Sequence, residues 1–202
     1  MSSPSRTLVN IHNFDKSKLS VAKINDSNYT ILYNEKPFTL EIGPETKELE
    51  YAKFCYGLKY NTTKDGDPLT PTITLPLGVN TSNFNSKMNA TILSVFSDLA
   101  SEMSNKIENT VEPIIYQKPL NPPLLSLKCK YFKESDKILT KFRRNNKPIK
   151  NMEELEIPFW GVFFVNINNI TKSKQGKWYV NSAIDTCIVS TRCLVELESD
   201  YK

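Results

Sequence analysis

The chain of 202 residues carries 26 Lys+Arg against 22 Asp+Glu, a net charge of +4, with 39% hydrophobic and 10% aromatic residues. That is enough apolar matter for one sizeable core, and it argues against intrinsic disorder. No apolar run is long enough to cross a bilayer, and the opening MSSPSRTLVNIHNFDKSK lacks the apolar stretch of a secretory leader, so the expectation is a cytoplasmic protein with no membrane partner.

In chain order, residues 1–18 read as an N-terminal extension ahead of one domain over 19–192, closed by a short acidic tail over 193–202. NYTILYNE and KPFTLEIG predict strands at 29–34 and 38–42, joined by a polar turn from Asn34 to Pro37. In KFCYGLKY, period-two alternation puts Phe54, Tyr56, Leu58 and Tyr60 on one face and Lys53, Cys55, Gly57 and Lys59 on the other. TKDGDP (63–68) is a turn by its Asp-Gly and Pro chemistry, and TPTITLPLGV is a further extended piece. The first third therefore reads as a β-meander.

The pattern then changes period. Met88, Ile92, Val95, Phe96, Leu99, Met103 and Ile107 recur at spacings of three and four, which predicts an amphipathic helix over about 85–107 with Asn85 or Ser86 as N-cap, packed against the sheet. Pro113, Pro119, Pro122 and Pro123 exclude helix from the connector that follows. LLSLKCKYF returns to strand, with Leu125, Leu127, Cys129 and Tyr131 inward. The segments 158–170 and 178–189, separated by the loop TKSKQGK, read as a long C-terminal hairpin. On the first of its strands Phe159, Gly161, Phe163, Val165 and Ile167 point to the core, leaving Trp160, Val162, Phe164, Asn166 and Asn168 on the other face.

Several chemistries are disfavoured. Cys55, Cys129, Cys187 and Cys193 contain no CxxC pair and His12 is the lone histidine, so a zinc site is not expected and the thiols read as buried and free. The six glycines are scattered, which leaves no phosphate-cradling loop and no cofactor site. Acidic residues cluster as KELE, EELE and ELESD. A metal-dependent nuclease using Asp65, Asp67 or the Glu153–Glu154 pair lacks the spacing such a site shows, and the protein reads as a non-enzyme.

Charge is local. Between Tyr116 and Lys150, eight Lys and two Arg face only Glu134 and Asp136, so this window carries +8 of a chain whose total is +4. Tyr116, Tyr131, Phe132 and Phe142 are interleaved with it. Cations that follow phosphates beside rings that stack bases suit single-stranded nucleic acid. The expected backbone-tracking residues are Lys128, Lys130, Lys141, Arg143, Arg144 and Lys147, with Lys172, Lys174 and Lys177 of the hairpin loop. The expected stacking residues are Phe132, Phe142, Trp160 and Phe164. The same aromatic sheet face also fits a viral structural or protein-interaction module, and that alternative stays open.

The succession YNEKPFTLEIG, KFCYGLKY, TITLPL, the helix, the Pro-rich connector, LLSLKCKYF and IPFWGVFFVNINNI…KWYVNSAIDTCIV, covering about residues 29 to 190, resembles the single-stranded DNA-binding proteins of nucleocytoplasmic large DNA viruses, a family distantly similar to the replication proteins of podophages that bind single strands. The resemblance implies a mainly β, OB-like antiparallel barrel with the helix before the last strands. It also implies sequence-tolerant binding of single-stranded DNA in replication or recombination, without catalysis or cofactor. The strongly acidic, aromatic-tipped tail of the podophage proteins is not matched by CLVELESDYK, so recruitment of replication proteins through it stays open, as does self-association.

Overall fold

The computed structural model describes residues 5–43, 53–60, 62, 68–78 and 85–190. It is mainly β with one helix, consistent with an OB-like fold. The strands are β1 (Thr7–Asn10), β2 (Leu19–Asn25), β3 (Asn28–Tyr33), β4 (Phe38–Ile42), β5 (Lys53–Cys55), β6 (Leu58–Lys59) and β7 (Thr72–Pro76). After the helix α1 (Asn85–Ile107) come β8 (Ile115–Tyr116), β9 (Leu124–Lys128), β10 (Tyr131–Phe132), β11 (Lys137–Ile138), β12 (Lys141–Arg144), β13 (Lys147–Pro148), β14 (Phe159–Lys172) and β15 (Trp178–Val189).

The long hairpin organises the sheet. β14 pairs along one edge with β5, β4 and β3 in succession and along the other with β15, which in turn pairs in parallel with β12. The connecting loop is shorter than the sequence suggests, because β14 runs on to Lys172 and β15 begins at Trp178. Two further strands were not expected: β2 pairs with β3, and β1 pairs in parallel with β4, so part of the presumed extension is a strand of the sheet. Arg6 ties the start of β1 to the sheet, donating to the Phe38 carbonyl at 2.8 Å and to Asn168 Oδ1 at 2.6 Å.

Tight turns follow their residue chemistry. The β3–β4 connection places Asn34 and Glu35 at φ 49° and 61°, and the β12–β13 connection places Asn145 and Asn146 at φ 51° and 61°. Two consecutive left-handed residues give the turn whose twist matches a two-stranded ribbon, and Asn tolerates that region better than most residues.

A second sheet, β6-β7-β9-β8, joins the first at two places. At one, the Tyr56 amide donates to the Thr74 carbonyl at 3.0 Å, linking the β5 side to β7; at the other, Cys129 bridges Ile184 of β15. All seven apolar positions of the helical stripe are buried, and they share one core with Leu40, Phe38, Leu75, Leu127, Phe163 and Ile184.

The alternation in KFCYGLKY fails at Gly57. Its φ of +88° kinks the chain, so that Leu58 turns into the core with Lys53 and Cys55, while Phe54 and Tyr56 face outward. Lys53 is thereby 1% exposed, with its ammonium donating to the carbonyls of Pro76 (2.7 Å) and Phe54 (3.2 Å). Burial pulls its pKa down to about 8, and burial likewise pushes the Cys55 and Cys129 thiols up to about 12. Cys55, Cys129 and Cys187 are buried and free, as the sequence implied.

Candidate nucleic-acid interface

The outer surface of the second sheet presents a cationic row. Lys59 of β6 lies opposite Thr72 of β7, which lies opposite Lys128 of β9, so all three side chains leave the same face and both lysines are exposed. Tyr60, next to Lys59, is 50% exposed, and Phe132 is equally so. Tyr131, on the segment that follows Lys128, donates its hydroxyl to Asp136 at 2.5 Å. Burial, then Glu156, Cys129 and Asp136, raise the pKa of Tyr60, which keeps its ring neutral.

A hydrogen-bonded corner carries the basic surface from this sheet to the large one. The Lys130 amide donates to Thr140 Oγ1 at 2.7 Å, and that hydroxyl donates to the Ile184 carbonyl at 2.6 Å. Leu139 N also donates to the Lys130 carbonyl at 2.7 Å. The chain leaves this corner as β12, whose register sets Lys141 beside Thr186 and Phe164, and Arg143 beside Ile188 and Val162. Lys141 and Arg143 therefore share the outer face of the sheet with Phe164. Among the described residues no ion pair engages Lys59, Lys128, Lys141 or Arg143.

Other residues singled out in the sequence are placed differently. Phe142 alternates with Lys141 and Arg143 and so points the other way, opposite Cys187 in the main core and 2% exposed; it cannot stack a base. Trp160 does face away from that core, but it is 6% exposed, in a separate apolar cluster of Val162, Phe54, Phe164 and Ile188. Its ring meets Phe54 at 5.5 Å, Phe54 meets the 40% exposed Tyr56 at 5.8 Å, and among the described residues Trp160 Nε1 has no hydrogen-bond partner. The accessible rings on this wall are thus Tyr56 and the half-buried Phe54 and Phe164.

The hairpin-loop lysines lie twelve residues along β14 from Trp160, about 40 Å at the usual rise per residue. There Lys172 sits 5.6 Å over the ring of the buried Trp178, and Lys177 pairs with Glu112 at 3.0 Å, while Lys174 is exposed. They lie at the opposite end of the hairpin from Trp160, beside Val111 and Glu112. Lys130 is held by Asp185, and Arg144 pairs with Glu154 at 3.0 Å. Arg144, Lys147, Lys150, Asn145, Asn151 and Glu154 line an open cleft of about 430 Å³ at the β12–β13 turn.

Asp185 sits among these cations. Burial pushes its carboxyl up, but hydrogen bonds from Lys130 and Thr186 and the charges of Lys130 and Lys141 outweigh that and hold it below the ordinary carboxylate range. Asp65 and Asp67 lie outside the described residues, and Glu154 is engaged by Arg144; among the described residues no group of three His, Cys, Asp or Glu is placed to hold a metal ion. No helix among the described residues is long and apolar enough to cross a membrane.

Lys59, Tyr60, Tyr56 and Phe54 are the surface residues that sequence reasoning missed. Unbroken period-two alternation puts Lys59 and Tyr60 on opposite faces of one strand; Gly57 is the signal that the strand breaks.

No family model matches the chain and no curated protein matches its sequence. Among solved structures the chain is similar to the single-stranded DNA-binding protein from bacteriophage Enc34. The C-terminally truncated form of that protein gives a TM-score of 0.48 at 12% identity over 87% of this chain and 96% of that one. Its complex with single-stranded DNA gives 0.43 at 14% identity, over 85% and 94%. The protein without that truncation gives 0.43 at 14%, over 85% and 89%.

Proposed function

We propose that this protein binds single-stranded DNA with little sequence preference and without catalysis, serving replication or recombination at a cytoplasmic site, in the manner of the viral family that its segment order resembles. The carrying observation is that exposed Lys59 and Lys128 leave one face of the second sheet with the exposed ring of Tyr60 next to Lys59, and that beyond the exposed Phe132 and the Lys130 corner the chain presents Lys141 and Arg143. Flexible cations neutralise phosphates and release counterions, while rings accept the face of any base. The one long helix among the described residues, α1, spends its apolar stripe on packing against the sheets. The two sheets are linked by the Tyr56–Thr74 hydrogen bond on one side and by the Cys129–Ile184 bridge on the other, and these links support reading the sheets as the walls of an OB-like barrel that carries the surface on its outside.

Fluorescence anisotropy of a labelled dT oligonucleotide, titrated at several salt concentrations, tests the proposal. Four phosphate contacts predict a slope of log affinity against log salt of about −2.8, at about −0.7 per contact for single strands. Binding that is absent, insensitive to salt, or stronger for a duplex of equal length rejects it.

A further inference from the structure

Two cations of the basic window are already matched by a carboxylate of the same chain, Lys130 by Asp185 and Arg144 by Glu154. The two pairs are built differently. Glu154 lies on a short helical turn beside the open cleft, with both partners well exposed. Asp185 is the residue skipped in the β14–β15 ladder, where Phe164 pairs with Thr186 and Val165 with Ile184. A bulge of this kind frees a side chain from the alternation and re-aims it. Here it is re-aimed at the corner itself: Asp185 accepts from Lys130 and from its neighbour Thr186, its charge acts on Lys141 and on the Arg6 guanidinium, and about a third of its side chain remains open to solvent.

We infer that Asp185 is a built-in competitor for the phosphates of the bound strand, occupying Lys130 and screening Lys141 at the point where the basic surface turns from one sheet to the other. The inference rests on the nucleic-acid reading and deepens it, since it names what regulates that surface. A phosphate reaching the corner must take Lys130 from a carboxylate fixed less than one side chain away. Affinity is thereby held below what the cation count allows, and release stays easy. A purely structural pair predicts the opposite sign, because breaking it would disorder the corner and weaken binding.

The experiment compares Asp185→Asn with Asp98→Asn, a charge-matched control that breaks the 3.0 Å pair with Lys16 on the helix side of the molecule. Affinity for the labelled dT oligonucleotide is measured across salt, and folding is checked by thermal melting; Asp185→Ser removes the same charge without adding an amide. Freeing one cation predicts about fivefold tighter binding at 0.1 M salt and a slope steeper by about 0.7 for both Asp185 variants, with Asp98→Asn unchanged. Adding Lys130→Gln to Asp185→Asn returns the affinity to that of the parent. If the parent binds and the Asp185 variants bind no tighter than Asp98→Asn, the competitor role is wrong while the binding function stands. If none of the proteins binds the oligonucleotide, both fall together.

Discussion

Replacing Lys59, Lys128, Lys141 and Arg143 together by Gln is expected to weaken binding of a dT oligonucleotide by between two and three orders of magnitude at 0.1 M salt. Each phosphate contact contributes about 0.7 to the salt slope of a single-stranded complex, so four contacts correspond to a factor of about 600. The four side chains are exposed and none is held in an ion pair among the described residues, so their loss removes charge from the surface without leaving a buried group unmatched. The stability of the variant should therefore match the parent's, and the salt slope should fall to near zero. The same number of charges removed at the far end of the hairpin, through Lys172, Lys174 and Lys177 with Lys23, should cost much less. Equal losses at the two ends would mean that the surface is read only as a diffuse field.

Gly57→Ala should destabilise the fold by about 3–5 kcal/mol, the sum of a left-handed backbone imposed on a residue with a side chain and an overpacked contact. A Cβ there would stand 2.6 Å from the carbonyl oxygens of both Glu156 and Ile157, and backbone atoms cannot rotate away as a side chain can. Gly176→Ala is the internal comparison. Its φ of +83° is similar, but nothing lies within 4 Å of its added methyl, so only the conformational cost remains, about 1 kcal/mol. Denaturant midpoints measure both, and similar losses in the two variants would show that the close approach of the 156–157 backbone does not matter. Because Gly57 fixes where Leu58 turns inward, any Gly57→Ala protein that still folds should also displace Lys59 and Tyr60 and lose oligonucleotide affinity.

The helix and the hairpin were legible because burial enforces a single period over many residues. The stripe from Met88 to Ile107 and the inward set Phe159, Gly161, Phe163, Val165 and Ile167 were all read correctly from spacing, as were Leu125, Leu127 and Cys129, whereas Tyr131, expected to continue that inward row, is only half-buried and turns its hydroxyl to Asp136. β1 was not legible, since TLVN is four residues long and its parallel partner β4 is about thirty residues away. β2 hid for another reason: LSVAKIN is an edge strand with only Leu19 buried, so its pattern carries no core signal.

At the site, charge was legible and its matching was not. The +8 window located Lys128, Lys141 and Arg143 on exposed positions, but nothing in the spacing showed that Asp185, 55 residues downstream of Lys130, returns to it. Phe142 and Trp160 show the limits of ring counting. The parallel ladder of β12 on β15 turns Phe142 inward, and the apolar cluster on the outer wall covers Trp160, so two rings expected at the surface are buried while Tyr60 and Tyr56 are open. Both tryptophans are buried, at 6% and 4% exposure, which makes tryptophan emission a poor reporter of base stacking here.

Photocrosslinking of a halogenated deoxyuridine oligonucleotide, with the attached residues mapped by mass spectrometry, tests most directly whether exposed rings and unmatched cations form one binding surface. Adducts on Tyr60 and Phe132, with Tyr56 as a further site, are predicted, and they should vanish when Lys59, Lys128, Lys141 and Arg143 are replaced. Adducts confined to Tyr116 or Tyr179, or adducts at Tyr60 that persist in the cation-free variant, would contradict the account.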